Sequence, residues 1–246
     1  MTDQTWKNRS REKAKLLVRR GLLRADLDIR RGSFARHLVD TVRAHELDTV
    51  LDIGANVGQY ASLIRAAGFA GRIISCEPLA GAYAELSRRA GGDGTWTALN
   101  VAVGATAGTT TINVAANSFS SSVLDMTDAH RDAAPGSEYI ATETVDLTTV
   151  ADLVAQHDVD PGRSLLKIDT QGFESEVLAG AGELVGRFAA IQLELSFVEL
   201  YAGQPLYADM LARMSDAGYR IQQLEPGISD ADGRLLQVDG VFVLDR

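Results

Sequence analysis

The 246-residue chain has a single cysteine, Cys76, which excludes an internal disulfide and any metal cluster built on thiolates. Histidines are few. Positions 37, 45, 130 and 157 are scattered, with neither a pair at i, i+4 nor an HExxH string, so no zinc site is legible. No run approaches eighteen unbroken apolar residues, so hydropathy offers no membrane-spanning helix. The opening MTDQTWKNRSREKAK lacks the apolar stretch and small-residue cleavage site of a secretory signal, and the expectation is a cytoplasmic protein. Positive charge is scarce too. The formal net charge is −9, yet residues 1–40 hold eleven Lys/Arg against five acids, leaving about +6 there and about −15 on the rest. An acidic body argues against general nucleic-acid binding. The basic leader reads first as a solvated helical face; its alternatives are peripheral contact with an anionic surface and an interface in a homo-oligomer.

What is present is ordinary for a globular protein, at 46% hydrophobic and 23% charged residues, and the length fits one α/β domain with extensions. Residues 11–24 and 33–47 read as helices, the second with Phe34, Leu38 and Val42 near one face and Ser33 as N-cap, so residues 1–47 form a basic N-terminal helical cover. From residue 48 strands and helices alternate: TVLDIG, GQYASLIRAAG, RIISCEP, GAYAELSRRAG and then WTALNVAV, read as one strand. This is the pattern of an open, mostly parallel sheet covered on both faces. The rhythm breaks over 104–146, where GTTTINVA and EYIATETVDL flank the serine-rich NSFSSSVLDM, an inserted β-hairpin with a long loop. It resumes through SLLKIDT and AAIQLELSF and closes on two strands, YRIQQLEPG and LQVDGVFVLDR. With no helix between them, these pair antiparallel.

The first strand ends in LDIGANVGQYA. In a sheet of this class ligands sit beyond the carboxyl ends of the strands, and the first βα turn is their usual cradle. Gly54 permits a tight turn, Gly58 lets the next helix start close to a ligand, and Asp52 can accept from an ammonium or order the loop. A dinucleotide fingerprint wants glycines at 54, 56 and 59, but the chain has Gly54, Asn56 and Gln59. The spacing D-x-G-x-N-x-G suits instead a ligand whose amino-acid part crosses the turn. Glu77, 25 residues after Asp52, is placed to accept both hydroxyls of its ribose.

In order and spacing, LDIGANVGQYASLI, CEP, NVAVG, SSVL, TVDL, LLKIDTQGFESEVLAGA and IQLELS resemble the FkbM family of S-adenosylmethionine-dependent methyltransferases over roughly residues 48–225. The resemblance implies a class I methyltransferase fold: a Rossmann-like seven-stranded sheet, mostly parallel, whose C-terminal hairpin inserts one antiparallel strand, spanning residues 48–246. It implies O-methylation of a hydroxyl on a sugar, glycolipid, polyketide or similar metabolite. By position, Asp52, Gly54, Asn56 and Gly58 would line the methionine part of the cofactor, Glu77 would hold the ribose, and Asn100 to Ala102 would flank the adenine. The chain departs from the family at Gln171, where many relatives have glutamate.

Methyl transfer to an alcohol needs an oriented hydroxyl and a group to take its proton. Asp169 and Glu194, each at the end of a strand, are the catalytic candidates, with Glu174 and Glu199 nearby. Asp169 can serve as base, as partner of the methionine ammonium or as a metal ligand, and with Glu194 and an amide it offers oxygens to Mg²⁺, though no spacing is diagnostic and the metal is left unknown. Glu174 reads rather as an acid complementing a helix dipole. His37 and His130 join the candidates if the cover or the inserted loop closes over the pocket. Ser120, Ser121 and Ser122 can contact cofactor or acceptor, and Phe119, Phe197, Tyr201 and Tyr207 can stack on sugar faces. Two rival readings stand beside the methyltransferase: an NAD(P)-linked oxidoreductase and a non-catalytic cofactor-binding module.

Overall fold

A computed structural model describes residues 34–245. The helix expected over 11–24, the Ser33 cap and most of the basic leader lie outside the described residues. Helix α1 (Phe34–Ala44) precedes β1 (Thr49–Ile53), α2 (Gln59–Ala66), β2 (Arg72–Cys76), α3 (Ala80–Ala90) and β3 (Trp96–Leu99). All five residues of β1 are buried, the sign of a strand covered on both faces. Its side chains alternate between two apolar clusters. Val50 packs with Leu38 of α1 and Ile64 of α2, whereas Leu51 and Ile53 join the opposite cluster. That second cluster receives Leu153 from α5 (Val150–Gln156) and Leu178 from α6 (Glu174–Ala181).

The main sheet is completed by β7 (Ser164–Ile168), β8 (Ala190–Ser196), β9 (Tyr219–Pro226) and β10 (Gln237–Leu244), with α7 (Tyr207–Asp216) between β8 and β9. Strand order is β3-β2-β1-β7-β8-β10-β9. The first five are parallel, and β10 enters antiparallel between β8 and β9. This is the seven-stranded sheet with its inserted antiparallel strand that the resemblance implies.

A second sheet holds β4 (Ala102–Val103), β5 (Gly108–Ala115) and β6 (Tyr139–Thr148) in the order β4-β6-β5. The inserted hairpin is β5 against β6, and β4 adds to it in parallel. The single strand expected over WTALNVAV is therefore two. Asn100 divides them, because its side-chain amide donates to the carbonyls of Glu77 (2.9 Å) and Pro78 (2.8 Å) and so turns the chain at the sheet rim. The long β5–β6 connection also contains a short helix, α4 (Asp128–Ala133), that its polar sequence did not announce. Among the described residues no helix is long and apolar enough to cross a membrane.

The small sheet docks where α6 meets the turn after β4: a Cβ on Gly180 would lie 2.0 Å from the carbonyl oxygen of Gly104. In an open helix Gly→Ala stabilises by about 1 kcal/mol. Here the close approach outweighs propensity, and Gly180→Ala is expected to destabilise the protein by about 1–3 kcal/mol in urea unfolding. A variant more stable than the parent would show that the two backbones are free to separate.

Candidate functional site

Register builds the site. Ile53 of β1 lies opposite Cys76 of β2 and Ile168 of β7, and Ile168 lies opposite Leu193 of β8. One residue further along, Gly54, Glu77, Asp169 and Glu194 therefore stand in a row on the carboxyl rim. Strand β10 brings Asp239 opposite Glu194. These five, with Asn56 and Ala102, line a cavity of about 440 Å³ roofed by residues 117–123 of the inserted loop.

Gly54 is cleared of a side chain by the chain itself. At φ +76° its Cβ would fall 1.8 Å from the carbonyl oxygen of Asp169, so the first βα turn and the β7 turn touch backbone to backbone. Asn56 takes the left-handed conformation that asparagine tolerates (φ +47°), and its amide donates to Ser118 O at 2.8 Å, tying the turn to the roof. Gly58, also left-handed, faces Leu86 and the Trp96 ring, which a Cβ would meet at 2.9 Å. It starts α2 against α3 and β3 and does not line the cavity.

Asp52 does not line it either. Fully buried, its carboxylate accepts from Ser75 Oγ (3.0 Å) and pairs with Lys167 Nζ at 3.1 Å. The strand pleat turns residue 52 into the sheet interior, so the expected cofactor contact is replaced by a structural ion pair. Asn100 likewise turns inward to the Glu77 and Pro78 carbonyls, leaving Val101 and Ala102 on the cavity wall.

Lys167 is the residue that sequence reasoning passed over. It is 3% exposed, and its ammonium reaches Asp52 Oδ1, Asp169 Oδ2 (3.3 Å) and Gly54 O (3.1 Å) while lying over the Tyr60 ring. Burial pulls against its charge, but the carboxylates of Asp169 and Asp52 outweigh burial and hold it above the usual lysine range. The available signal was a lone lysine in the otherwise apolar strand SLLKI.

Glu77 is 6% exposed and has both oxygens engaged, accepting from the Asn56 and Leu79 amides at 2.8 and 2.9 Å. Burial pushes its carboxyl up to about 7 despite those bonds. Burial, then the charge of Asp169, pushes Asp239 up to about 6. Glu194 is driven well above the ordinary carboxylate range by burial, by the charges of Asp169, Glu174 and Asp239, and by a hydrogen bond with Asp169. Between Asp169 and Glu194 lies the amide of Gln171, 2.9 Å from an oxygen of each. The space in which Mg²⁺ was envisaged is thus bridged by an N–H donor, and among the described residues no group of three His, Cys, Asp or Glu side chains could hold a metal. Glu174 is buried and caps its own loop, accepting from the Thr170 and Gly172 amides.

The remaining candidates divide. His130 is 1% exposed and lines the cavity against Ser120 Oγ (3.1 Å), its basicity lowered by burial, whereas His37 is exposed on α1 away from it. Ser121 and Ser122 spend their hydroxyls on Ala115 N and Gln171 O. Tyr201 is buried, and Phe197 packs against Tyr207 in a tilted pair with ring centroids 4.9 Å apart; of the four aromatics only Phe119, 59% exposed, lines the cavity.

The model of the methyltransferase FkbM domain matches residues 52–221. Among curated proteins nothing matches the sequence. Solved structures with a similar fold include the methyltransferase domain of bacterial CtHen1-C, 11% identical over 86% of this chain and 97% of that one, with a TM-score of 0.46. Precorrin-6y C5,15-methyltransferase from Geobacter metallireducens GS-15 is 12% identical over 85% and 87%, TM-score 0.43. Magnesium protoporphyrin IX methyltransferase from Synechocystis PCC 6803 is 14% identical over 88% and 86%, TM-score 0.42.

Two expectations follow. Removing one member of a buried ion pair strands the other charge. Lys167→Met is therefore expected to lose about 3–5 kcal/mol in urea unfolding, and the double variant Lys167→Met/Asp52→Asn to recover much of it; a double variant no better than the single would contradict the pairing. The second concerns pH. Folded values of about 7 for Glu77 and about 6 for Asp239 stand above those of the unfolded chain, so their neutral forms favour folding in acid, and that contribution is lost progressively as pH rises from about 4, where the unfolded groups ionise, to about 7. The Tm of ligand-free protein should fall across this interval, and Glu77→Gln should flatten the fall.

Proposed function

The chain belongs to the FkbM methyltransferase family, and from that premise we propose that it moves the methyl group of S-adenosylmethionine onto a hydroxyl of a small-molecule acceptor such as a sugar, glycolipid or polyketide. The observation that carries the cofactor reading is the charge of the cavity. Four carboxyl groups line it, from Glu77, Asp169, Glu194 and Asp239, and among the described residues no lysine or arginine side chain does. S-adenosylmethionine is a net cation with a sulfonium and an ammonium, which such a lining attracts. NAD(P) brings a pyrophosphate that needs a cradle of donors, and at the turn the third fingerprint glycine is Gln59 while Asn56 is tied to the roof. The oxidoreductase reading is disfavoured on both counts.

The residues fit the cofactor by chemistry. Glu77 retains lone pairs beyond the two backbone bonds and can accept from the ribose hydroxyls, while Leu79, Val101 and Ala102 give an apolar wall for a base. Asp169 is one-third exposed, has Lys167 behind it and keeps acceptor capacity toward the cavity. When bound, the cofactor supplies a methyl group on a sulfonium that departs as a neutral thioether once the oxygen–carbon bond forms. The chain's share is to orient the acceptor hydroxyl and take its proton, and the Asp169–Glu194 pair is the group at the rim that can do so. Raised proton affinity suits Glu194 to that role once it is ionised.

Calorimetry on purified protein tests the reading. S-adenosylmethionine is expected to bind and NAD not to, with affinity rising between about pH 5.5 and 7.5 as Glu77 and Asp239 ionise. Glu77→Gln should weaken binding about 10- to 100-fold, as loss of a charged hydrogen-bond acceptor does. No heat with the cofactor or with S-adenosylhomocysteine would sink the proposal. Cofactor binding without methyl transfer to any member of a hydroxylated-metabolite panel would favour the non-catalytic module.

A further inference from the structure

Gln171 sits in the loop from β7 to α6 at φ +55°, a conformation that a residue with a Cβ keeps only where its surroundings over-determine it. Its carbonyl oxygen accepts from Ser122 Oγ of the roof loop at 2.7 Å. Its side chain is fully used. The two hydrogens of Nε2 have two acceptors, Asp169 Oδ1 and Glu194 Oε2, both at 2.9 Å, and Oε1 accepts from the Tyr201 hydroxyl at 2.8 Å. An ionised carboxylate offers no donor, so the face toward Asp169 calls for the amide nitrogen; Tyr201, donating, calls for the oxygen on the other side. Tyr201 cannot swing away. It is 1% exposed, its ring lies 4.9 Å from that of His130, and Gly172 leaves no room for a side chain beside it, since a Cβ there would meet Tyr201 Cβ at 2.8 Å.

We propose that Gln171 is a positioning residue: its amide clamps the Asp169 and Glu194 carboxyl groups side by side, and Tyr201 locks the amide so that both hydrogens stay on the carboxyl groups. Among the described residues, the charged and titratable groups facing Glu194 are Lys167 of β7 and Asp169 just after it, Glu174 from α6, Asp239 from β10 and Tyr201 from the segment after β8. Only Lys167 among these is cationic, and it is held by Asp52 and Asp169. Gln171 is the neutral donor that lets two acids share the rim without a second cation. A glutamate at 171 would put a third acid there, so amide and carboxylate are not interchangeable in this chain. The purpose of the clamp rests on the proposed methyl transfer, but its existence does not.

The test is an NMR titration of ligand-free protein labelled with ¹³C at the glutamate carboxyl, with the Glu194 resonance assigned by its loss in Glu194→Gln. Gln171→Gly keeps the positive-φ backbone without strain and removes the amide; Gln171→Glu keeps the shape and reverses the chemistry. Both are expected to raise the Glu194 midpoint by about one pH unit or more, and Tyr201→Phe by less. An unmoved midpoint in a folded Gln171→Gly or Gln171→Glu protein would overturn the clamp and leave Gln171 as a loop builder. Should Gln171→Gly fail to fold, Gln171→Glu and Tyr201→Phe decide alone. Binding of S-adenosylmethionine is measured in parallel: a shifted midpoint in a protein that never binds the cofactor would retire the functional reading and keep the clamp.

Discussion

A single ammonium, that of Lys167, holds the carboxyl rim together. It lies inside a parallel sheet where an unpaired charge would cost several kcal/mol, and it is tolerated because three oxygen groups converge on it: Asp52, Asp169 and the carbonyl of Gly54. These belong to two different strand ends, so one cation fixes the turn after β1 against the turn after β7. A polar row continues sideways beneath the site. Trp96 Nε1 donates to Ser75 Oγ, Ser75 Oγ to Asp52, and on the far side Tyr60 donates to Gln192, whose amide reaches toward Asp239. A fully apolar sheet would be simpler to bury, yet it would leave Asp169 without its cation. The row gives the rim its geometry.

Above that row the charge balance reverses. The cavity collects acids that its burial pushes toward protonation, so the ligand-free site holds protons that a cationic ligand can displace. On the proposed reading, selection between cofactors depends less on a glycine pattern than on sign: a sulfonium amino acid compensates the lining and a pyrophosphate aggravates it. The roof follows the same economy of donors. Asn56 and Gln171 are both left-handed, and each spends its amide across an interface, Asn56 on Ser118 and Gln171 on the acid pair, which is why neither position is glycine.

Alternating strands and helices, the glycine turn and the C-terminal antiparallel pair were legible because each is a local pattern. The break at Asn100 was not, since it depends on where two carbonyls of the neighbouring strand end. Glu77, Asp169 and Glu194 could be placed on the rim by counting to strand ends. Asp52, two residues inside the rim, could not be assigned without knowing which way the pleat turned it, and its partner Lys167 carried no signal beyond being a lone lysine in an apolar strand. Asp239 was hidden for a topological reason: it comes from the antiparallel β10, which reaches the rim with its amino end. Tyr201 read as a stacking surface because its burial arises from the inserted loop folding back, through the Met126–Tyr201 bridge, over a distance no periodicity encodes.

The most direct test of the account is a crystal structure of the protein with S-adenosylhomocysteine. The account predicts the ribose hydroxyls on Glu77, the base against Leu79, Val101 and Ala102, and the amino-acid end at the Asp169 rim, with Asp52 still paired to Lys167. A ligand bound outside this cavity, or one whose ribose makes no contact with Glu77, would contradict it.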